Sequence, residues 1–224
     1  MLSSEVESKP RRWLVLLPAL IGLGFGLRLG QPSVFPDEIG AILNGRQLVG
    51  LGSPSPWWYL SGYGALLVPV LLATDDPTAM IRGIQLVNAA LMVTACLGLV
   101  ASLRLLVPSA SERHRFEAAA LAMTTPAYIY FAGFAIADNV MVAIAAWLAP
   151  ATSWLARTHL KMATIAGFVG SALAASMHSR AALLPIAVAV GLASQPADRV
   201  LRSASVVVGA LVGRLAAGAL LSGA

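Results

Sequence analysis

The chain has 224 residues, of which 58% are hydrophobic and 11% are charged. Soluble domains carry about 25% charged residues, so this composition argues against a soluble domain and indicates a helical membrane protein. The net charge of +5 does not indicate nucleic-acid binding, because the basic residues occur in small groups at the ends of apolar runs. A single cysteine, Cys96, excludes a disulfide framework.

Uncharged runs that are long enough to cross a bilayer follow one another along the chain. For example, 21 uncharged residues separate Arg82 from Arg104. A transmembrane helix needs about 20 apolar residues, so we predict an all-α, polytopic protein that forms one domain over residues 1–224. The first span follows three basic residues and is expected to be a retained signal anchor. The seven predicted transmembrane helices lie at about residues 13–30, 79–106, 116–134, 137–156, 161–177, 180–195 and 201–222.

Two further helices are predicted in the first external loop, about residues 31–78. The first runs from Pro36 to Val49, and its apolar residues recur near helical spacing, as in a helix that lies on a membrane surface. The second, residues 57–73, is apolar enough to span. If it lies at the interface instead, ten of the fifteen basic residues face the cytoplasm, whereas only five do so if it crosses. The positive-inside rule favours the interfacial arrangement, which predicts a multi-pass protein of the cell membrane with a cytoplasmic N-terminus.

This arrangement places several carboxylates on the external face, in the first loop and beside the fourth span. Asp37 and Glu38 follow Pro36, where acidic residues are also ordinary helix-start residues. Asp138 is also an ordinary turn residue. The same positions would suit a catalytic base or a metal ligand next to lipid, and the residue types alone leave both interpretations open.

Five segments, in this order, resemble the GT-C-fold glycosyltransferases, which use polyprenyl-phosphate sugars. VFPDEIGAILNGRQLV is similar to the Asp-Glu-containing first external loop, and YLSGYGALLVP to the aromatic-Gly-Tyr stretch that follows it. MIRGIQLVNAALMV resembles an Arg-initiated second span, and AMTTPAYIYFAGFAIADNVMVAIAAWL a proline-bearing third span that ends in an acidic turn. GFVGSALAASMHSRAALLPIAV resembles the small-residue helix that ends in a basic residue. The pattern is closest to the protein mannosyltransferase and lipid A aminoarabinose transferase branches and covers nearly the whole chain.

The resemblance implies that this protein transfers a sugar from a polyprenyl phosphate to an acceptor on the external face. Asp37 matches the catalytic aspartate, which is expected to act as the general base, and Glu38 beside it is expected to orient the acceptor. Asp138 matches the second acidic position, which helps to shape the acceptor or metal site. Tyr63 matches the tyrosine of the aromatic-Gly-Tyr stretch and is expected to bind substrate.

Two basic residues are also candidates for substrate binding by this resemblance. Arg180 matches a basic residue suited to pairing with the phosphate of the lipid donor, although an arginine there also suits snorkelling to the interface. Arg82 has the same two interpretations, and we favour the structural one.

Departures from the family pattern lead to alternative interpretations of the function of this chain. The stretch SPSPWWYLSGY lacks the charged or histidine-containing motif of several relatives, so the sequence predicts no particular metal or cofactor. Family enzymes continue with further spans, so we expect this chain to be the N-terminal seven-helix module or a truncated fragment. Arg214 within the last apolar run indicates contact with partner helices. A non-catalytic membrane subunit of the same fold is therefore the main alternative, and a transporter is disfavoured because no span is plainly broken.

Overall fold

The structure is a computed structural model that describes residues 9–28, 36–52, 61–158 and 160–177, together with positions 208, 209 and 212. All regular elements in this part of the chain are helical, which confirms the all-α prediction. The predicted span at 180–195, and all but three positions of the span at 201–222, lie outside the described residues. After a 3₁₀ turn at Arg12–Leu16, the helices are α1 (Leu17–Arg28), α2 (Pro36–Leu48), α3 (Ser61–Ala73), α4 (Pro77–Leu106), α5 (Glu112–Met123), α6 (Pro126–Phe131), α7 (Asp138–Thr158) and α8 (Leu160–Met177).

Local sequence signals account for several helix ends. The side chain of Asp76 accepts a hydrogen bond of 2.8 Å from the backbone N–H of Ala79, and Pro77 occupies the first position of α4. Both features favour a helix start, because the first turn has N–H groups without helical partners. Ser111 caps α5 in the same way. After α2, Gly50 adopts a φ of 74°, a left-handed conformation that glycine adopts without strain.

The predicted span at 116–134 is wrong in one respect, because it is two helices rather than one. α5 ends at Met123 and α6 begins at Pro126. Thr125, between them, has a ψ of 145°. A proline lacks the backbone N–H that would continue a helix, and it drives the preceding residue away from helical geometry. Pro150, by contrast, lies inside α7 without ending it.

The predicted membrane spans are supported to different extents by helix length. In the described part of the chain, only α4, with 30 residues, is both long and apolar enough to cross a bilayer. Shorter apolar helical stretches are found in α1, α3, α7 and α8. The predicted helices at 79–106, 137–156 and 161–177 therefore coincide with observed helices. The arrangement of seven membrane spans stays a prediction.

α4 is the central helix and packs against α1, α3, α5 and α7. α1 runs antiparallel to α4, since Gly26 lies against Gln85 whereas Gly22, a turn earlier, lies against Met92. An apolar cluster that includes Cys96 fills the space between α1, α4 and α5.

α7 packs closely on α4 and runs in the same direction. A Cβ atom built on Gly98 would lie 2.8 Å from the Cβ atom of Ala146, closer than side chains tolerate. Nearer the start of α4, Asn88 contacts Phe134, just before α7 begins. Small residues at such crossings let helix backbones approach each other.

α2 and α3 form a tight helical pair on the side of α4. A Cβ atom on Gly64 would lie 2.7 Å from the backbone nitrogen of Gly45 and 2.8 Å from the carbonyl oxygen of Ala41. Three polar side chains of α2 are buried, namely Glu38, Asn44 and Gln47, whereas Ile39 is 47% exposed. We predicted α2 from its apolar residues, and that pattern did not indicate this inward polar face.

Candidate functional site

A buried asparagine, Asn88, joins three parts of the protein in one hydrogen-bond network. Its side-chain oxygen accepts a hydrogen bond of 2.7 Å from the hydroxyl of Tyr63 in α3. Its side-chain nitrogen donates to the carbonyl oxygens of Ala132 and Phe134, at 3.1 and 2.7 Å. Asn88 and Tyr63 are 0% and 1% exposed, so each of these bonds satisfies a polar group that water does not reach.

The carbonyl groups belong to residues 132–137, which we call the α6–α7 turn. This turn is held from a second direction by Asn139, whose side-chain nitrogen donates to Phe131 and Phe134 at 2.9 and 3.2 Å. The turn ends at Asp138, the first residue of α7. Two asparagines therefore fix the backbone that leads to a predicted site residue.

Glu38 holds the same turn from α2. Its Oε1 atom accepts a hydrogen bond of 2.5 Å from the backbone N–H of Ala135, although 97 residues separate them in the chain. Glu38 is 6% exposed. The bond brings the first turn of α2, which contains Asp37 and Glu38, against the turn that precedes Asp138. Two acidic segments that the sequence separates thus meet at one place, and Glu38 uses part of its carboxylate to join them.

The predicted site residues are placed as follows. Asp37 lies in the first turn of α2, and Asp138 begins α7 with a half-buried side chain. Tyr63 lies inside the bundle, where burial raises the pKa of its phenol well above the ordinary value. Its hydroxyl is therefore a neutral hydrogen-bond donor that is already engaged by Asn88.

Arg82 lies on α4 and links two helices. One of its guanidinium nitrogens donates to the carbonyl oxygen of Gly26 in α1 and to Oε1 of Gln85, each at 3.1 Å. These contacts agree with the structural interpretation of Arg82 that the sequence favoured. The position of Arg180 lies outside the described residues.

The acidic turn before α4 has ordinary structural partners. Asp75 lies 3.7 Å from Arg46 of α2 in an exposed ion pair, and Asp76 caps α4. Such exposed pairs contribute little stability. No group of three or more His, Cys, Asp or Glu side chains in the described part of the chain is arranged to hold a metal ion.

Sequence reasoning did not single out Asn88 or Asn139. Both are amides within long apolar runs, and polar residues in such runs are expected to bond to neighbouring helices. The same rule would have selected Gln85 and Asn44, which are also buried. The rule selects the residues, but it does not indicate which partner each one takes.

Comparison with models of known protein families, with curated proteins and with solved structures gives no match.

Proposed function

We propose that this chain is a multi-pass membrane protein with a cytoplasmic N-terminus and seven spans. Support comes from the distribution of side chains, since leucines such as Leu106 and Leu121 are 77% and 73% exposed while Asn44 and Asn88 are fully buried. That distribution suits a protein surrounded by lipid, in which polar side chains bond between helices. The antiparallel course of α1 and α4 suits consecutive spans.

We propose further that this membrane protein is a glycosyltransferase of the kind that the GT-C resemblance implies. It transfers a sugar from a polyprenyl phosphate to an acceptor on the external face. The observation that carries the proposal is the hydrogen bond from Ala135 to Glu38. It brings the first turn of α2, with Asp37, against the turn that leads to Asp138, so the acidic segments required by this chemistry are neighbours.

The reaction follows from the proposed roles. Asp37 accepts the proton of the acceptor hydroxyl or amine while that atom attacks the anomeric carbon of the sugar. The bond from this carbon to the phosphate oxygen breaks, the configuration inverts, and polyprenyl phosphate leaves with the electron pair. Arg180 pairs with the phosphate, and the N-terminal end of α2 favours the ionised form of Asp37. Tyr63 and Asn88 are buried and bonded to each other, so they hold α3 and the α6–α7 turn in place and do not touch the reacting atoms.

Substitution of Asp37 tests the proposal most directly. Asp37→Asn keeps the size of the side chain but removes the base, and general-base catalysis is worth about 10²- to 10⁴-fold. We expect transfer from polyprenyl-phosphate sugars to fall by that factor in proteoliposomes, with thermal unfolding unchanged. Glu38→Gln is the matched control, because its amide oxygen still accepts the Ala135 hydrogen bond; its effect should be smaller. Transfer by Asp37→Asn near the wild-type rate would refute the assignment of the base.

Donor binding gives an independent test of the phosphate partner. Arg180→Ala should weaken binding of a polyprenyl-phosphate sugar by roughly 2–5 kcal/mol, the range for leaving a buried charge without its partner. Arg82→Ala is the control, since Arg82 bonds within the bundle. It should lower thermal stability and leave the dissociation constant of the donor unchanged. Equal effects of the two substitutions on donor affinity would contradict the role of Arg180.

A non-catalytic membrane subunit is the second candidate, and the engagement of Tyr63 and Glu38 inside the bundle is the observation that favours it. In such a subunit these side chains only stabilise the fold. The wild-type chain would then show no transfer activity, and Asp37→Asn would leave assembly with the partner, and the activity of the partner, intact. The transfer assay above therefore separates the two functions.

A further inference from the structure

Six basic residues lie at one end of the helical bundle. They form two groups, which we name the N-terminal basic group (Lys9, Arg11 and Arg12) and the loop basic group (Arg104, Arg113 and Arg115). The two groups are neighbours, because the 3₁₀ turn at Arg12–Leu16 packs against α5.

The loop basic group is largely neutralised by its own acidic neighbours. Both oxygens of Glu112 are bonded, one to Arg104 at 2.6 Å and the other to Arg115 at 2.5 Å. Arg113 pairs with Glu117 at 2.7 Å. Arg115 also donates to the carbonyl oxygens of Val107 and Pro108, which directly follow α4. These guanidinium groups hold the α4–α5 connection together.

The N-terminal basic group has no ion pair among the described residues. All three of its side chains are exposed. The two acidic residues nearest in the sequence, Glu5 and Glu7, precede the described part of the chain. The three cations of the N-terminal basic group therefore face outward, beside three arginines that are already bonded to two carboxylates.

Exposed apolar residues continue directly from this group. Trp13 is 60% exposed, and Leu16 and Leu20, which follow at helical spacing, are 48% and 63% exposed. A tryptophan between a cationic segment and an apolar helix face is typical of the boundary between lipid headgroups and acyl chains. Nucleic acid would match the cations but not the adjacent apolar strip.

We propose that Lys9, Arg11, Arg12 and Trp13 form a docking surface for the headgroups of anionic phospholipids. The cations bind the phosphate and the anionic headgroup, and Trp13 lies at the level of the ester groups. The loop basic group takes no part, because each of its guanidinium groups is already bonded to a carboxylate. This inference rests on the membrane location proposed above and is independent of sugar transfer.

Spin-labelled lipids measure this binding in bilayers of phosphatidylcholine that contain the full chain. We expect the wild type to prefer labelled phosphatidylglycerol over labelled phosphatidylcholine, and high salt should weaken the preference by screening. Arg12→Gln should reduce the preference roughly fivefold, the factor for one basic residue near an anionic surface. Arg104→Gln removes one cation from the same end but leaves Glu112 paired with Arg115 and the N-terminal basic group intact, so it should change the preference little.

The possible results of this experiment distinguish a failure of the lipid-docking proposal from a failure of the proposed membrane location. Equal losses in Arg12→Gln and Arg104→Gln would overturn the proposal, because the summed charge alone would then attract the lipid. Displacement of the lipid by soluble glycerol phosphate would also overturn it, in favour of a site for free phosphate. A chain that enters the bilayer without any preference for phosphatidylglycerol would refute this inference and leave the membrane location standing. A chain that does not enter the bilayer would refute both.

Discussion

Replacing Asn88 with alanine should weaken the packing of α3 and of the α6–α7 turn against α4. The substitution removes the partner of the Tyr63 hydroxyl and a donor to two carbonyl groups. The carbonyl oxygen of Phe134 keeps a hydrogen bond from Asn139. Among the described residues, the hydroxyl of Tyr63 and the carbonyl oxygen of Ala132 are therefore the two groups that Asn88→Ala leaves without a side-chain partner.

The magnitude follows from these two groups. A buried polar group that loses its partner costs about 1–3 kcal/mol, so Asn88→Ala should lower the free energy of unfolding by about 2–6 kcal/mol. Hydrogen bonds between helices in a membrane average about 0.6 kcal/mol, which makes the lower end of this range the better expectation. Tyr63→Phe removes one bond only and should have about half the effect. The ratio of the two losses is thus a sharper test than either value.

The protein carries its own reporter for this measurement. Cys96 is the only cysteine and is fully buried, so a thiol-reactive fluorophore labels it only when the bundle opens. For a chain of this size, 1 kcal/mol corresponds to about 2–4 °C in Tm, so we expect Asn88→Ala to lower Tm by at least about 4 °C. Leu86→Ala, at a position that is 62% exposed on the same helix, is the control. A loss for Asn88→Ala no larger than that for Tyr63→Phe would refute the reasoning.

Three further predictions concern packing, pH and topology. Gly64→Ala should separate α2 from α3 and lower Tm, because the added methyl group would lie 2.7 Å from the backbone nitrogen of Gly45. A backbone atom cannot move aside as a side chain can, so an unchanged Tm would contradict the close crossing of α2 and α3. The hydrogen bond from Arg104 lowers the pKa of Glu112 to about 2, from an ordinary value of 4.5. Stability from this pair is therefore complete above pH 4.5 and lost as the pH falls from 4.5 towards 2, and Glu112→Gln should flatten that part of the stability profile. Asp75→Cys should react with a membrane-impermeant thiol reagent from outside the cell; labelling from the cytoplasm only would mean that residues 57–73 cross the membrane.

Several features of the fold could be predicted from the sequence because their causes are local. The start of α4 depends on Asp76 and Pro77, which act on the adjacent turn, and its length depends on an uninterrupted apolar run. The same reasoning identified α2, α7 and α8 nearly to their ends. It was wrong at Pro126, where the apolar run divides into two helices, although Pro150 lies within α7 without ending it. A proline therefore marks a possible helix end, and the packing around it decides whether the helix continues.

The candidate site depends on contacts that no local rule specifies. The sequence indicated Asp37, Glu38 and Asp138 as acidic positions, but not that Glu38 accepts a hydrogen bond from Ala135, 97 residues away. Nor did it indicate that Asn88 joins α3 to the α6–α7 turn. The partner of each buried polar group depends on how the helices cross. The crossings depend in turn on small residues such as Gly45 and Gly64, which allow helices to approach closely. The sequence by itself determined where helices form, while the tertiary structure decided which buried polar groups meet, because each must find its partner on whichever helix the packing brings beside it.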